Sequence, residues 1–448
     1  MVNKMPNKIA FNEKYPDISK SEALLERATT LIPNYTQTLA KGPSQYIRGV
    51  APAYLTEGKG SHVIDADGNE YIDFSMGIGP LSLGYQYDRI DNAIKEQLEK
   101  GITFSLMHPL EVELAELIRE VIPNAESVRF SKIGNDVTTA AVRLARAYTG
   151  KKTILCCGYH GAQDWYITVT DWDKGVPDYT KRMTYTFNYN DIESVLNSID
   201  TDTAAIILEP VVFDEPQDDF LHKLRDICTE KGILLIFDEM WTGFRMAMGG
   251  AQEYFDIKPD LATYSKAIAN GMPLSVITGR YDIMKMVENE VFFYGTFGGE
   301  ALSLIAARET ILEMREKNVP KYLNDMGHIL KTGYNAIVED LGLNFTSAKG
   351  YGFRTLIEFK PTGGNPLELK SLMQQEMIKR GVLWGGFHNM CYSHSQADID
   401  HTLAAYKEVL PIIREASESG NVRDYLRGEP VQPVFRKVGN FNTKPKGR

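Results

Sequence analysis

Short apolar runs alternate with helical patterns through the middle of the chain. We place strands at Ser127–Ser131, Thr153–Cys157, Thr203–Leu208, Ile233–Phe237 and Leu261–Ser265. Apolar runs of this length, bounded by turn residues, are typical of strands that are buried on both faces. The alternation of such strands with helices predicts an α/β fold built on a mainly parallel sheet.

Two helices between these strands have clear C-terminal signals. One covers Val137–Tyr148 and is closed by Gly150, and the other covers Phe220–Lys231 and is closed by Gly232. Glycine ends helices in this way because it adopts the left-handed conformation without a steric penalty. Both helices are therefore expected to cover the sheet.

The flanking segments predict a second, smaller α/β region. Residues 62–71 form a hairpin that turns at Asp67-Gly68-Asn69. A long helical stretch begins near Glu300, and a strand at Tyr351–Lys360 and a helix at Leu367–Arg380 follow it.

We divide the chain accordingly into four parts. Residues 1–85 are an N-terminal arm, helix and hairpin that belong to the small domain, and residues 86–315 are the large domain. Residues 316–430 form the C-terminal small α/β domain, and residues 431–448 form an irregular tail.

The amino-acid composition limits the kinds of molecule that the protein is expected to bind. The 448 residues carry a net charge of −10 with no basic block, which argues against nucleic acid or an anionic membrane and favours small-molecule substrates. No stretch approaches the roughly 18 apolar residues of a membrane helix, and residues 1–20 lack a signal-peptide core. We expect a cytoplasmic protein with reduced cysteines and no metal site.

Two residues predict the chemistry. Asp238 ends an apolar strand, and Lys266 stands on a loop that follows the next strand. Pyridoxal phosphate enzymes need a lysine that forms a Schiff base with the cofactor aldehyde, and a carboxylate that keeps the pyridine nitrogen protonated. Taken alone, a lysine such as Lys266 in a polar loop is usually a solvated surface charge, and Asp-Glu after an apolar strand, as at Asp238, is often a metal or capping site.

Two further positions lie at strand ends. Gly134, Asn135 and Asp136 join a strand to a helix, so their N–H groups and the helix N-terminus form a cradle for a phosphate. An unliganded turn has the same composition. Glu209 follows a buried strand and reaches the ligand-binding edge of the sheet, or else serves as a structural salt-bridge partner.

Several motifs occur together in a fixed order, and they carry a family resemblance. They are Asp65-Ala66-Asp67-Gly68-Asn69, Gly158-Tyr159-His160-Gly161, Leu208-Glu209-Pro210, Phe237-Asp238-Glu239-Met240-Trp241-Thr242-Gly243-Phe244-Arg245, Pro259-Asp260-Leu261 and Lys266. From about Leu24 to Leu410 the chain resembles the class III, fold-type I aminotransferases that depend on pyridoxal phosphate (PLP), especially the glutamate-1-semialdehyde aminomutase branch. The resemblance implies a seven-stranded-type sheet in a large PLP-binding domain, and a small domain built from both terminal segments.

The resemblance also implies roles for individual residues. Tyr159 would stack on the cofactor ring beside His160, and Met240 would pack on the opposite face. Thr296, in a Gly-rich loop, would bind the cofactor phosphate of the neighbouring subunit, which implies a homodimer with shared sites. The alternatives are a half-buried tyrosine, a core methionine and a plain turn.

The chain departs from the aminomutase pattern where substrate binds. The interval Asp164–Pro177 is shorter than the lid of that enzyme, and Lys41, Ile78 and Asn389 occupy the expected substrate positions. We therefore interpret the chain as an aminotransferase that moves an amino group from a donor to an aldehyde or ketone through Lys266, with a pyridoxamine phosphate form between the two half-reactions. The alternatives are a glutamate-1-semialdehyde aminomutase and, remotely, a catalytically silent binding or scaffold protein.

Overall fold

The computed structural model describes residues 14–361, 364–433 and 443–446. Contacts between residues divide this part of the chain into two units. The first unit comprises the residues up to Tyr87 together with residues 322–433, and the second comprises Asp88–Lys321 together with residues 443–446. The domain boundaries predicted from the sequence at residues 85, 315 and 430 stay predictions.

The strands and helices of the described residues are numbered in chain order. The strands are β1 Leu55–Lys59, β2 His62–Asp65, β3 Glu70–Asp73, β4 Ser127–Ser131, β5 Thr153–Cys157, β6 Thr184–Thr186, β7 Thr203–Leu208, β8 Leu234–Asp238, β9 Leu261–Tyr264, β10 Ser275–Gly279, β11 Thr346–Tyr351, β12 Arg354–Phe359, β13 Val382–Leu383 and β14 Phe387–Asn389. The helices are α1 Ser19–Leu31, α2 Asp88–Leu98, α3 Pro109–Val121, α4 Gly134–Thr149, α5 Asp164–Ile167, α6 Asp178–Lys181, α7 Ile192–Ser198, α8 Phe220–Lys231, α9 Ala251–Tyr254, α10 Tyr281–Met284, α11 Ala301–Glu316, α12 Val319–Asp340, α13 Pro366–Lys379 and α14 Gln396–Ser419.

The second unit is built on a seven-stranded sheet. Its strand order is β4-β10-β9-β8-β7-β5-β6. The neighbours from β9 to β6 pair in parallel, while β10 runs antiparallel to both β4 and β9. The predicted α/β fold with a mainly parallel sheet is therefore confirmed. Because β5, β8 and β9 are parallel, their carboxyl ends meet at one edge of the sheet.

Three predicted boundaries are corrected. Helix α4 begins at Gly134 and not near Val137, so the predicted phosphate turn is itself the first turn of the helix. Strand β8 covers Leu234–Asp238, one residue later than predicted, which places Asp238 in the strand. The strand predicted at Tyr351–Lys360 is present as the shorter β12, Arg354–Phe359, because the chain turns between Tyr351 and Arg354 to pair β12 with β11, which was not predicted.

The first unit contains two small sheets, with strand orders β1-β2-β3-β13 and β11-β12-β14. The predicted hairpin is present as β2 and β3, and its Asp67 carboxylate accepts hydrogen bonds from the first residues of α1. Ile47, Tyr71 and Leu383 belong to the buried apolar cluster of this unit. The N-terminal sequence therefore packs with sequence more than 300 residues later, as the parallel pairing of β3 with β13 shows.

The described tail residues contact the edge of the large sheet. The Thr186 N–H donates to the Lys444 carbonyl at 3.0 Å, and the Lys444 N–H donates to Thr186 Oγ1 at 2.8 Å. The tail therefore covers part of the edge strand β6. In the described ranges, no helix is long and apolar enough to cross a membrane.

An ion cluster in the first unit joins β2 to the start of α14. His62 lies 2.8 Å from Glu70 Oε1 and 2.9 Å from Asp398 Oδ1. Burial opposes the charged imidazole, but the hydrogen bonds to Asp398 and Glu70 outweigh it, so the pKa of His62 is raised. A raised pKa stabilises the fold fully below the unfolded value, and this stability is lost as pH rises through the folded pKa.

We therefore predict that, from about pH 6 to pH 9, the free energy of unfolding of wild type falls by ~1 kcal/mol more than that of His62→Gln. Urea unfolding at several pH values measures this difference. His222→Gln is the matched control, because the His222 side chain is 48% exposed and lies beside Asp219 on the surface. A His62→Gln profile that runs parallel to wild type would contradict the prediction.

Candidate active site

A cavity of about 210 Å³ lies at the carboxyl ends of β5, β8 and β9 and at the N-terminal end of α4. Ligands bind at this edge in open α/β sheets. The cavity is lined by Ile133–Asn135 with Thr138, by Tyr159–Gly161, by Asp238 with Met240 and Trp241, and by Ser265 with Lys266. The two predicted catalytic residues, Asp238 and Lys266, thus line the same cavity.

A larger cavity, of about 560 Å³, lies at the starts of β8 and β9. Its charged groups are paired with one another: Arg225 lies 2.8 Å from Asp260, and Lys258 lies 3.3 Å from Glu126. None of the predicted catalytic or cofactor-binding residues lines it. The smaller cavity is therefore the candidate active site.

Asp238 is buried and held on both carboxylate oxygens. Its Oδ1 accepts a hydrogen bond from the Met240 N–H at 3.1 Å, and its Oδ2 lies 2.7 Å from His160 Nδ1. Because a carboxylate only accepts, Nδ1 carries the imidazole proton and Nε2 is left unprotonated in the neutral ring. His160 Nε2 is buried and has no hydrogen-bond partner among the described residues. The contact fixes the direction of the carboxylate toward the cavity.

The first turn of α4 borders the cavity. Asn135 Oδ1 accepts a hydrogen bond from the Ala162 N–H at 3.1 Å, which joins this turn to the Tyr159–Gly161 turn. Gly161 has φ +114, and a Cβ there would lie 1.9 Å from Asn135 Oδ1, so only glycine fits. The Asp136 carboxylate accepts from Ser131 Oγ at 2.6 Å, and Asp136 is not among the cavity-lining residues.

The aromatic wall of the cavity is supported from behind. Glu209 Oε1 accepts a hydrogen bond from the Tyr159 N–H at 2.6 Å. The Tyr166 ring meets the Tyr159 ring edge to face at a centroid distance of 5.6 Å, and its hydroxyl donates to the Gly158 carbonyl. Tyr159 is 38% exposed and lines the cavity, so part of its side chain is accessible to a ligand. Glu209 thus acts on the backbone of Tyr159 and not on the cavity directly.

Lys266 lies in a strained backbone conformation. Its φ is +46, in the left-handed region that residues other than glycine seldom adopt. The preceding Ser265 is fixed by a hydrogen bond from its hydroxyl to the Leu274 carbonyl at 2.7 Å. The Lys266 amine, Nζ, lies 4.1 Å from the centroid of the Trp241 indole. The local backbone thus directs this lysine into the cavity.

Comparison with known proteins identifies the family. The model of the class-III aminotransferases matches residues 46–406. The chain belongs to this family. The 3-aminobutyryl-CoA aminotransferase of Cloacimonas acidaminovorans is 33% identical over 412 residues, which cover 89% of this chain and 98% of that protein.

Two other similar proteins extend the comparison. The glutamate-1-semialdehyde 2,1-aminomutase of Archaeoglobus fulgidus is 34% identical over 424 residues, covering 88% of this chain and all of the relative (100%). The structure of FumI of Sphingopyxis sp. MTA144, in a PLP form, superposes with a TM-score of 0.83 at 28% identity, covering 92% of this chain and 99% of that one. This chain is accordingly a PLP-dependent transaminase of fold type I.

The cavity of this aminotransferase fits PLP. The helix N-terminus at Gly134 and Asn135 suits a phosphate dianion, the fixed carboxylate of Asp238 suits a protonated pyridine nitrogen, and the Lys266 amine suits an aldehyde. Met240 lies beside Gly134, where a Cβ would come within 3.1 Å of its sulfur. PLP supplies an electron sink for the electrons of a bond broken at the substrate carbon.

Sequence reasoning missed several lining residues. Trp241 stood in a quoted motif but received no role, although it follows Met240 directly. Thr138 lies four residues after Gly134 on the same helix face, and its hydroxyl donates to the His160 carbonyl at 2.9 Å. The helical spacing was the available signal for Thr138.

Other predicted site residues lie outside this cavity. Thr296 is exposed in a turn closed by the hydrogen bond from the Gly298 N–H to the Gly295 carbonyl. Lys41, Ile78 and Asn389 all belong to the first unit. Lys41 is exposed, Ile78 has φ +69, and the buried amide of Asn389 donates to the Ser75 carbonyl. Their predicted contacts with the cofactor phosphate or with substrate stay predictions.

We predict that Asp238→Asn still binds PLP but loses turnover by roughly 10²- to 10³-fold, because the amide cannot hold the pyridine nitrogen protonated. Single-turnover kinetics with an amino donor measures this loss. Glu239→Gln is the control, since the Glu239 carboxylate is the next residue but accepts hydrogen bonds from the Ala251 and Gln252 N–H groups. Near-normal rates in Asp238→Asn would remove this carboxylate from the reaction.

Proposed function

We propose that Lys266 is the Schiff-base lysine of this transaminase and the group that moves the substrate proton. The observation that supports this role is that Lys266 and Asp238 line one cavity together with the helix N-terminus at Gly134. In this proposal the Lys266 amine, once released from the cofactor, would take the proton from the substrate carbon and would give it to the carbon that had carried the cofactor aldehyde. Asp238 holds the proton on the pyridine nitrogen, while Tyr159 and Met240 hold the plane of the ring.

We also propose that the amino donor and the carbonyl acceptor are separate molecules that react in turn. An aminomutase retains its diamino intermediate and needs a mobile cover over the site. In this chain the interval Asp164–Pro177 includes buried, packed side chains, among them Trp165, Tyr166 and Val169. The Trp165 indole donates to Thr139 at 3.1 Å, which ties the interval to α4. This packing supports a fixed segment behind the cavity lining in place of a lid.

The aminomutase remains the second candidate, because the Archaeoglobus relative carries that name. The Cloacimonas relative is named for 3-aminobutyryl-CoA, so a β-amino acyl thioester is a specific donor to test on this chain. A cytoplasmic location also stays part of the proposal; it is supported by the free, buried cysteines of the described residues.

We expect an amino donor alone to convert the PLP form stoichiometrically to the pyridoxamine phosphate form, and an added carbonyl acceptor to reverse the conversion. The absorbance of the bound cofactor measures both half-reactions. 3-Aminobutyryl-CoA, simple ω-amines and α-amino acids form the donor panel, and Lys266→Ala is the inactive control. Sustained formation of 5-aminolevulinate from glutamate-1-semialdehyde, with no donor added, would favour the aminomutase instead.

We further propose that two copies form a homodimer with shared active sites. Two loops of the second unit expose large apolar side chains, which monomeric surfaces seldom leave contiguous. They are Ile102, Phe104, Leu106 and Met107 in one loop, and Phe292, Tyr294 and Phe297 in the other. The loops approach each other, because the Ala301 N–H donates to the Ile102 carbonyl at 2.9 Å. Thr296 belongs to the second loop, which supports its role at the site of the partner.

If Thr296 serves the neighbouring subunit, Lys266→Ala and Thr296→Ala chains should complement each other. A mixed dimer would carry both lesions in one site and neither in the other. Co-refolding the two variants should therefore restore activity above that of either variant alone, as measured at a PLP concentration that limits Thr296→Ala. Thr278→Ala, at a buried hydroxyl in β10, is the control. A fully active monomer in sedimentation would contradict the shared site.

A further inference from the structure

Trp241 lies against the reactive lysine. It follows the strand β8 by three residues, is 8% exposed and lines the active-site cavity. The Nζ of Lys266 lies 4.1 Å from the centroid of its indole ring. A cation within about 6 Å of an indole face is attracted by the negative face of the ring, and the attraction grows when water is excluded. The short distance therefore favours an ammonium group at this position, against the cost of burying a charge.

The indole itself is held in place by a second cation. The Arg245 guanidinium lies 5.5 Å from the same ring and donates to the Met240 and Trp241 carbonyls, at 3.5 Å and 3.3 Å. Burial lowers the pKa of Arg245 to about 9. The guanidinium therefore binds the backbone that carries the indole, and it fixes the ring that faces Lys266.

Few other titratable groups line this cavity. They are Tyr159 and the pair formed by Asp238 and His160, which are bonded to each other at 2.7 Å. The backbone of Lys266, with φ +46, directs its side chain toward the indole. Backbone and ring thus restrain the lysine at its two ends.

From this geometry we propose that Trp241 is a positioning residue, whose indole face holds the Lys266 ammonium in the cavity whenever the lysine is not joined to the cofactor. The inference rests on the proposed role of Lys266. In each half-reaction Lys266 is free for part of the time and carries the substrate proton. The ring favours the charged amine over the neutral one and keeps it next to the reacting carbon. Trp241 would thereby set the pH range in which the lysine reacts as a nucleophile.

The test is the rate at which the cofactor-free full-length protein joins PLP, measured by absorbance between about pH 6 and pH 10. Only the neutral amine attacks the aldehyde, so removing the ring should free more of it at low pH. In Trp241→Leu we expect the pH profile of this rate to move toward lower pH. On the acid limb, the rate expressed as a fraction of its plateau value should be roughly tenfold higher in Trp241→Leu than in wild type. Trp241→Phe, whose ring attracts cations less strongly, should lie between the two.

Trp172→Phe is the matched control, because Trp172 is 59% exposed and does not line the cavity. It should reproduce the wild-type profile. A purely structural role for Trp241 would lower the plateau without moving the profile, and this result would overturn the proposal. Trp241→Phe alone suffices for the decision if Trp241→Leu does not fold, because an unmoved Phe profile also overturns it.

Borohydride reduction followed by peptide mass spectrometry separates this inference from the proposed function. A reduced PLP adduct at Lys266 in wild type supports the proposed role of the lysine. If that adduct is present, an unmoved pH profile refutes the positioning role of Trp241 and leaves the proposed role of Lys266 intact. An adduct at a different lysine refutes both proposals.

Discussion

The contact between Asp238 and His160 is the constraint on which the active site depends. A buried carboxylate is costly unless its oxygens are bonded, and here one accepts from the imidazole and the other from the Met240 backbone. The two residues belong to different strand ends, since β8 ends at Asp238 and β5 ends shortly before His160. The hydrogen bond thus connects two turns across the sheet, and the remaining contacts of the cavity are arranged around it.

The supports on either side of this contact are mostly side chains that bind backbone. Asn135 bonds the turn after His160, Thr138 bonds the His160 carbonyl, and Glu209 bonds the Tyr159 N–H. Because each of these bonds fixes a main-chain position, the cavity is preorganised before any ligand enters. Preorganised polar groups cost little reorganisation when charge develops during reaction. These supports therefore hold the cavity in place for the role proposed for Lys266.

The sequence predicted the sheet and its edge better than the contacts at that edge. The strands at Ser127–Ser131, Thr153–Cys157 and Thr203–Leu208 are confirmed residue for residue. The last two are buried apolar runs between turns, which leave little choice of boundary, whereas the first contains Arg129 and is half-buried throughout. Strands β6 and β10 were missed; β6 has only three residues. β6 is also an edge strand, and its pattern is weak, whereas β10 is a buried five-residue strand between β4 and β9, so shortness explains only the first omission.

The same limit of local sequence patterns explains which contacts of the site residues were predicted and which were not. Lys266 and Asp238 were predicted from the chemistry that they share. Asp238 ends one strand that the pattern could locate, and Lys266 follows another. The direction of the Asp136 carboxylate toward Ser131, and that of Glu209 toward Tyr159, depends on turn geometry that no local pattern contains. Trp241 was passed over for a related reason, since an indole in an apolar motif is typical of a core. Only its position above the Lys266 amine distinguishes it.

The segment after His160 distinguishes the two candidate reactions better than the residues that would contact the cofactor. A transaminase and an aminomutase need the same lysine, aspartate and phosphate cradle, so those groups cannot separate them. The interval after His160 can, because it either covers the site reversibly or supports it. Here Tyr166 packs against both Tyr159 and His160, and the tail residue Thr443 donates to the Val169 carbonyl at 2.9 Å. This part of the segment opens only by breaking these contacts, which favours free exchange of substrates over retention of an intermediate.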